Sequence, residues 1–148
     1  MDLSYLVISN IQKGLKLLTE QTEDSALRNT LIKENKFTPE EFFDFSYLVT
    51  RFIKLTAPIA DSYIERKNGL LIEFGIPEVV NDKQTGTFNI SHENVPLYNA
   101  ASKKLNEQIE TITNVRKIKL SELQKLSVSS AILLSLDPII ESDIEISF

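Results

Sequence analysis

The chain has 148 residues, of which 42% are hydrophobic and 25% charged, with a formal net charge of −5; this suits one domain spanning 1–148 around a single core and excludes a disordered chain. No apolar run approaches the roughly 18 residues that cross a bilayer, the opening MDLSYLVISN lacks a basic signal-peptide region, and Lys and Arg are scattered among acids, so neither membrane nor nucleic acid is expected as a partner and a cytosolic protein is the default. With no cysteine there is no disulfide, thiolate or zinc–thiolate chemistry, and Gly14, Gly69, Gly75 and Gly86 fit no phosphate-cradling motif, so no cofactor is expected.

Residues 5–8 form a short β-prone run, after which Ser9 or Asn10 caps a helix of about three turns with Ile11, Leu15 and Leu18 on one face. Asp24 or Ser25 then caps a short polar helix carrying Ala26, Leu27, Leu31 and Ile32. The strongest local signal follows. Thr38 at the N-cap, Pro39 at the first helical position and Glu41 three residues after the cap form a capping box. From there Phe45, Val49, Phe52, Thr56, Ile59, Tyr63, Arg66 and Leu70 recur at helical spacing, with Phe42, Leu48, Leu55 and Ile64 widening the stripe. This helix is expected to reach about residue 73, with Gly75 ending it. Pro58 predicts a kink at 55–58 or two abutting helices.

Val79 with Val80, and residues 87–90, are β-prone and flank a polar turn containing Gly86, which predicts a hairpin or an ordered loop. Asn94 and Pro96 open a second helix in which Leu97, Ala101, Leu105, Gln108 and Ile112 share a face; it is expected to pair antiparallel with the first long helix. A strand-like segment at 115–120, a short helix from Ser121, another from Ser127 or Ser129 to about Leu136, and a β-like tail from Ile144 complete the chain. The expected fold is α+β and mostly α. It has a long antiparallel helical hairpin, with a small β element in which the N-terminal strand pairs with 115–120 and the C-terminal tail is a further candidate.

Candidate chemistry is sparse. His92 is the only histidine; with Asp82, Glu93 and Glu78 merely near it in sequence, an exposed turn explains it better than a general base or a metal ligand. Glu40 and Glu41 serve the cap and helix dipole, and Asp61, Glu65 and Arg66 form a solvated, partly ion-paired face. The serines at 127–130 lack a nucleophile-elbow context and are better explained as caps. More informative are the aromatics: Phe42, Phe45 and Phe52 fit one buried face, whereas Phe43 and Tyr47 project to the other side, so the helix start is apolar nearly all round. Core packing is the favoured reading of that group, with contact to another chain as the competing one. Phe43 and Tyr47, together with Val79, Val80, Phe88 and His92 in the connector, form the candidate interaction surface.

The order of these segments carries a resemblance. The long helix closes on ERKNGLLIEFG, a D-x-x-T-G-x-F-x-I hairpin follows, and the chain ends on IKLSELQKLSVSSAILLSLDPII. This resembles a family of small uncharacterised proteins of tailed bacteriophages and prophages, in which the helix closes on E-x-R-x-x-L-I-x-K-Y-G and the C-terminal phrase is I-x-L-S-x-L followed by L-S-x-x-x-L-x-x-L-x-P-x-I. Glu65, Leu70, Leu71, Phe74, Gly75, Gly86, Leu120, Ser121, Leu123, Leu126, Ser127, Leu133, Leu136, Pro138 and Ile139 occupy those phrases. The likeness covers nearly the whole chain except 22–37, and Phe74 stands where tyrosine is usual. It brings no catalytic residues. It implies a non-enzymatic phage accessory protein, structural or assembly-related, located in the host cytoplasm or the virion. Such a protein would act through contacts with itself as a homo-oligomer and with another phage or host protein. The alternative is a soluble phage inhibitor that binds a host or defence protein through its acidic surface.

Overall fold

The computed structural model describes residues 1–144. The β-like tail expected from Ile144 lies outside the described residues apart from Ile144 itself, which is in a bend. In chain order the elements are β1 (Asp2–Ser4), α1 (Tyr5–Thr22), α2 (Ser25–Lys33), α3 (Pro39–Phe74), β2 (Gly75–Val80), β3 (Lys83–Ile90), α4 (Val95–Asn106), β4 (Ile109–Thr111), β5 (Ile118–Lys119), α5 (Leu120–Lys125), α6 (Ser130–Leu136), a 3-10 turn (Asp137–Ile139) and β6 (Ile140–Glu141). The fold is α+β and mostly α.

The first difference from expectation is at the N-terminus, where residues 5–8 are helical and the strand lies at Asp2–Ser4. Ser4 decides this. Its backbone is extended and its Oγ accepts from the Val7 N–H at 3.3 Å, a cap that starts the helix at Tyr5. The cap extends the apolar stripe to Tyr5, Ile8, Ile11, Leu15 and Leu18, all buried, and burying an aliphatic side chain stabilises by about 1.5–3 kcal/mol, more than the local β preference of a valine–isoleucine pair opposes.

The capping box of α3 is present as expected, with Glu41 N–H donating to Thr38 Oγ1 at 3.1 Å and Thr38 N–H donating to Glu41 Oε1 at 3.2 Å. The Thr38 N–H, followed by its hydroxyl, holds the Glu41 carboxyl below its ordinary value. Asp24 caps α2 by accepting from the Ala26 and Leu27 N–H groups. Phe42, Phe45, Val49 and Phe52 of α3 join Ile8, Ile11, Leu15 and Leu18 of α1 in one core cluster, closed by Leu123 of α5, Ile132 and Leu136 of α6, and Ile118 and Ile139. Pro58 neither divides α3 nor separates two helices, because one helix runs from Pro39 to Phe74. Pro58 and Lys54 are both exposed, so the turn at which the proline removes a backbone donor lies on the outer side of the helix.

The small β element is paired differently from expectation. β1 is antiparallel to β4, with Leu3 opposite Glu110, and β5 is parallel to β6, with Ile118 opposite Ile140. Of the strand expected at 115–120 only Ile118–Lys119 is ladder-paired, and Leu120 already begins α5. Asp143 fastens the segment that follows β6. Its carboxylate accepts from the Ser121 N–H at 2.9 Å and from the Ser121 hydroxyl. Beside it Arg116 makes a two-pronged pair with Glu122 at 2.9 and 3.0 Å, which raises the Arg116 pKa above its ordinary value.

α1 and α6 approach closely at Gly14, where a Cβ would lie 2.8 Å from the Ser135 Cβ and 3.1 Å from Leu136 Cδ2. Gly69, in the interior of α3, has no atom within 4 Å of an added Cβ. Alanine normally stabilises a helix interior over glycine by about 1 kcal/mol. Chemical denaturation in dilute solution is therefore expected to show Gly69→Ala gaining about that much and Gly14→Ala losing stability. Equal gains at both sites would contradict the close α1–α6 contact.

Candidate functional site

α1 runs antiparallel to α3, its start at Tyr5 meeting Tyr63 and its end at Thr22 lying beside Phe42. At 1.5 Å per residue, the 18 residues of α1 reach along about half of the 36 residues of α3. The last fully buried residue of α3 is accordingly Tyr63. Beyond it the helix continues for three turns, packed mainly by α4 and the hairpin, with Arg66 reaching back to Tyr5 and Gln108.

The antiparallel helical hairpin therefore has unequal arms: α4 is 12 residues long and ends at Asn106. Gln108 and Ile112, expected on its face, lie past its end, with Ile112 beside β1, where its N–H donates to the Met1 carbonyl at 2.8 Å. A junction of polar and aromatic groups holds the two arms together. The Tyr5 and Tyr63 rings meet edge to face with centroids 6.0 Å apart, and Leu105 completes this second buried cluster. The Tyr63 hydroxyl donates to Asn106 Oδ1, the Tyr5 hydroxyl donates to Glu110 Oε1 at 3.1 Å, and Gln108 Nε2 donates to the Tyr5 oxygen at 3.3 Å. Burial, with Tyr98 adding to it, raises the Tyr63 pKa above its ordinary value. Arg66 is not paired with Asp61 or Glu65. Instead its guanidinium lies 5.5 Å from the Tyr5 ring centroid and donates to Gln108 Oε1 at 2.9 Å.

At the far end of the arm β2 and β3 form the hairpin, longer than the sequence pattern indicated. Its turn is not at Gly86. Asn81 and Asp82 have φ of 52° and 61°, the pair of left-handed residues that a two-residue type I′ connection requires. Gly86, with φ of 83°, instead sits in β3 where the register shifts by two between Pro77 and Val79. Gly75 ends α3 through close contact, since a Cβ there would be 2.5 Å from the Leu71 carbonyl oxygen and 3.1 Å from Phe88 Cβ. Asn94 begins α4 without capping it. Its Nδ2 donates to the Phe74 carbonyl at 3.2 Å, tying the two ends of the connector together.

The six candidate surface residues fall in two places. Val79 and Val80 are exposed on the hairpin, Phe88 is half-buried against its base, and His92 is exposed in the turn before α4. Phe43 and Tyr47 are also exposed, at 68% and 58%, so the core reading fails for these two while Phe42, Phe45 and Phe52 bear it out. However, Tyr47 and the hairpin are separated by 27 residues of α3, about 40 Å, and cannot form one contact patch. Other exposed apolar residues on the arm lie outside the expected set: Ile64, Ile72, Ile76 and Leu97 are each more than half exposed. The signal was present in LLIEFGI, a run as apolar all round as the Phe42–Phe43–Phe45 group.

Among the described residues no three His, Asp or Glu side chains gather as a metal-binding group, and no helix is long and apolar enough to cross a membrane. Ser129 caps α6 by accepting from the Ile132 N–H at 3.4 Å. No family model, curated protein or solved structure matches the chain. The observed surface belongs to a mostly helical α+β protein whose longest helix carries an apolar, uncovered arm.

The Asp143 clasp has a pH dependence of defined sign. The Ser121 hydroxyl, then its N–H, holds the Asp143 carboxyl below its ordinary value of 3.8. Its contribution to stability is therefore complete above that value and is lost as pH falls through the depressed one. Thermal midpoints followed against pH should show Asp143→Ala less stable than the parent at neutral pH, with the difference closing in acid below the ordinary aspartate range. A difference that widens in acid would contradict the assignment.

Proposed function

We propose that the protein is a non-enzymatic accessory component of a tailed bacteriophage, structural or assembly-related, that acts through protein–protein contacts and associates with itself. The observation that carries this reading is the uncovered half of α3 with its hairpin, where Ile64, Ile72, Ile76, Val79, Val80 and Leu97 are all half exposed or more. Exposed apolar residues gathered on one part of a molecule are a feature of contact sites, and these six are taken as such a gathering. The two-stranded hairpin, packed against the end of α3, also offers open strand edges that a partner could cover. The phage context rests on the helix-closing and C-terminal phrases of the sequence, and it sets the host cytoplasm and the virion as the places of action. A second reading, an inhibitor of a host or defence protein, draws on the net charge of −5 and on Glu73, Glu78, Asp82 and Glu93 around the hairpin.

Mass spectrometry of purified particles and assembly intermediates, paired with light scattering of the isolated protein, separates the two. The accessory reading expects the protein in those fractions and a solution mass that is a multiple of the chain mass. A monomer absent from every assembly fraction and recovered bound to a host protein would overturn it in favour of the inhibitor.

A further inference from the structure

We infer that the outer face of α3 is a contact between two copies of the chain, packed antiparallel about a two-fold axis that passes between Ala57 and Pro58. The inference rests on the self-association proposed above and names its surface and register. α3 buries Phe45, Phe52 and Tyr63 along one side. The opposite side carries Phe43, Tyr47, Lys54, Asp61, Glu65 and Ile72, all of them exposed, and at 100° per residue they fall within about 40° of one another around the helix. Phe43 and Asp61 are eighteen residues apart, as are Lys54 and Ile72. That separation is five whole turns, so the stripe runs straight along about 44 Å of helix.

A two-fold contact is isologous, so each residue meets its mirror position on the other copy. Lys54 and Asp61 stand equally far on either side of the axis. Lys54 of each copy therefore faces Asp61 of the other, and one sequence pattern gives two ion pairs. Neither side chain has an ion-pair partner among the described residues. Within one chain Asp61 and Glu65, one turn apart, are like charges that weaken a helix, and the second copy's lysine offsets them. Phe43 and Ile72, each 68% exposed, are mirror positions as well, so the two ends of the stripe, about 44 Å apart in one chain, become apolar contacts in the pair. At the axis Ala57 and Pro58 have no long side chain, which lets the helices approach to the ordinary packing distance of about 8–10 Å. A parallel pairing would set Lys54 beside Lys54. Sliding one copy by a turn either loses the Lys54–Asp61 pairs or carries Phe43 past the end of the opposite α3.

The chain has no cysteine, so a single introduced thiol reports only on its own counterpart in a second copy. Ala57→Cys places it beside the axis, where the two Cα atoms come within the reach of about 7 Å that a disulfide requires. Under mild oxidation it is expected to give a covalent dimer, while Leu134→Cys, on exposed α6, gives none. Independently, Lys54→Glu and Asp61→Lys should each raise the dimer dissociation constant by about tenfold, since each turns two attractive pairs into two repulsive ones. The double variant Lys54→Glu/Asp61→Lys should restore it, which a variant that merely damaged the helix would not do. A wild-type chain that stays monomeric at all concentrations overturns both this inference and the self-association reading. A wild-type dimer without the Ala57→Cys cross-link, or indifferent to both charge reversals, overturns this surface alone.

Discussion

A helix of 18 residues cannot cover one of 36, and this mismatch between α1 and α3 governs the rest of the molecule. Where the two run side by side, Ile8, Ile11, Leu15 and Leu18 meet Phe45, Val49 and Phe52 in a core that α5, α6 and the short β5–β6 pair close from the other side. The main apolar stripe of that part is buried within the chain, while Phe43 and Tyr47 remain exposed on its outer side. Past Tyr63, α3 is flanked mainly by the three turns of α4 and the hairpin, which leave Ile64, Ile72 and Ile76 more than half exposed.

The boundary between the covered and uncovered halves is held with directional contacts as well as hydrophobic ones. Edge-to-face packing of Tyr5 on Tyr63, the hydroxyl bonds to Glu110 and Asn106, and Arg66 across the Tyr5 ring bring the start of α1, the middle of α3 and the end of α4 to one point. Such contacts set orientation, since a tyrosine that is buried must still satisfy its hydroxyl. At the other end the Asn94 amide on the Phe74 carbonyl and the Gly75–Phe88 contact bind the hairpin to its helix. The arm is thus fixed at both ends while its flank stays open, which lets a surface far from the core keep a defined shape.

Much of this architecture was legible in the residues. Thr38, Pro39 and Glu41 mark the start of α3, the spacing from Phe42 to Tyr63 marks its buried face, and two further caps narrow to Asp24 or Ser25 and to Ser127 or Ser129, of which Asp24 and Ser129 serve. The misreadings have specific physical causes. Residues 5–8 look like a strand locally, but the Ser4 cap and the burial of Tyr5 and Ile8 against α3 prevail, a tertiary effect that local propensity cannot register. Gly86 attracts the hairpin turn in a sequence reading because Asn81 and Asp82 only imitate the glycine-containing signature of a type I′ turn. Strand partners went astray since three-residue strands carry no alternation from which to choose them. For the surface, Val79, Val80 and His92 were recognisable as exposed connector residues, but the arm as a unit was not. Its exposure follows from α1 ending its cover at Tyr63, and no single segment records that.

The proposed contact with another chain takes in the second half of α3 and its hairpin, where Ile64, Ile72 and Ile76 are exposed, whereas the main apolar stripe of the first half packs against α1 and leaves only Phe43 and Tyr47 of α3 outside it as exposed large apolar side chains. Amide hydrogen exchange of the isolated protein, measured at low and at high concentration, tests this most directly, because local opening reports how well each segment is covered. The account predicts that residues 8–60 of the core keep the same protection at both concentrations, while amides across 64–98 become slower to exchange as concentration rises. Protection across 64–98 that is unchanged by concentration and equal to that of the core would contradict it.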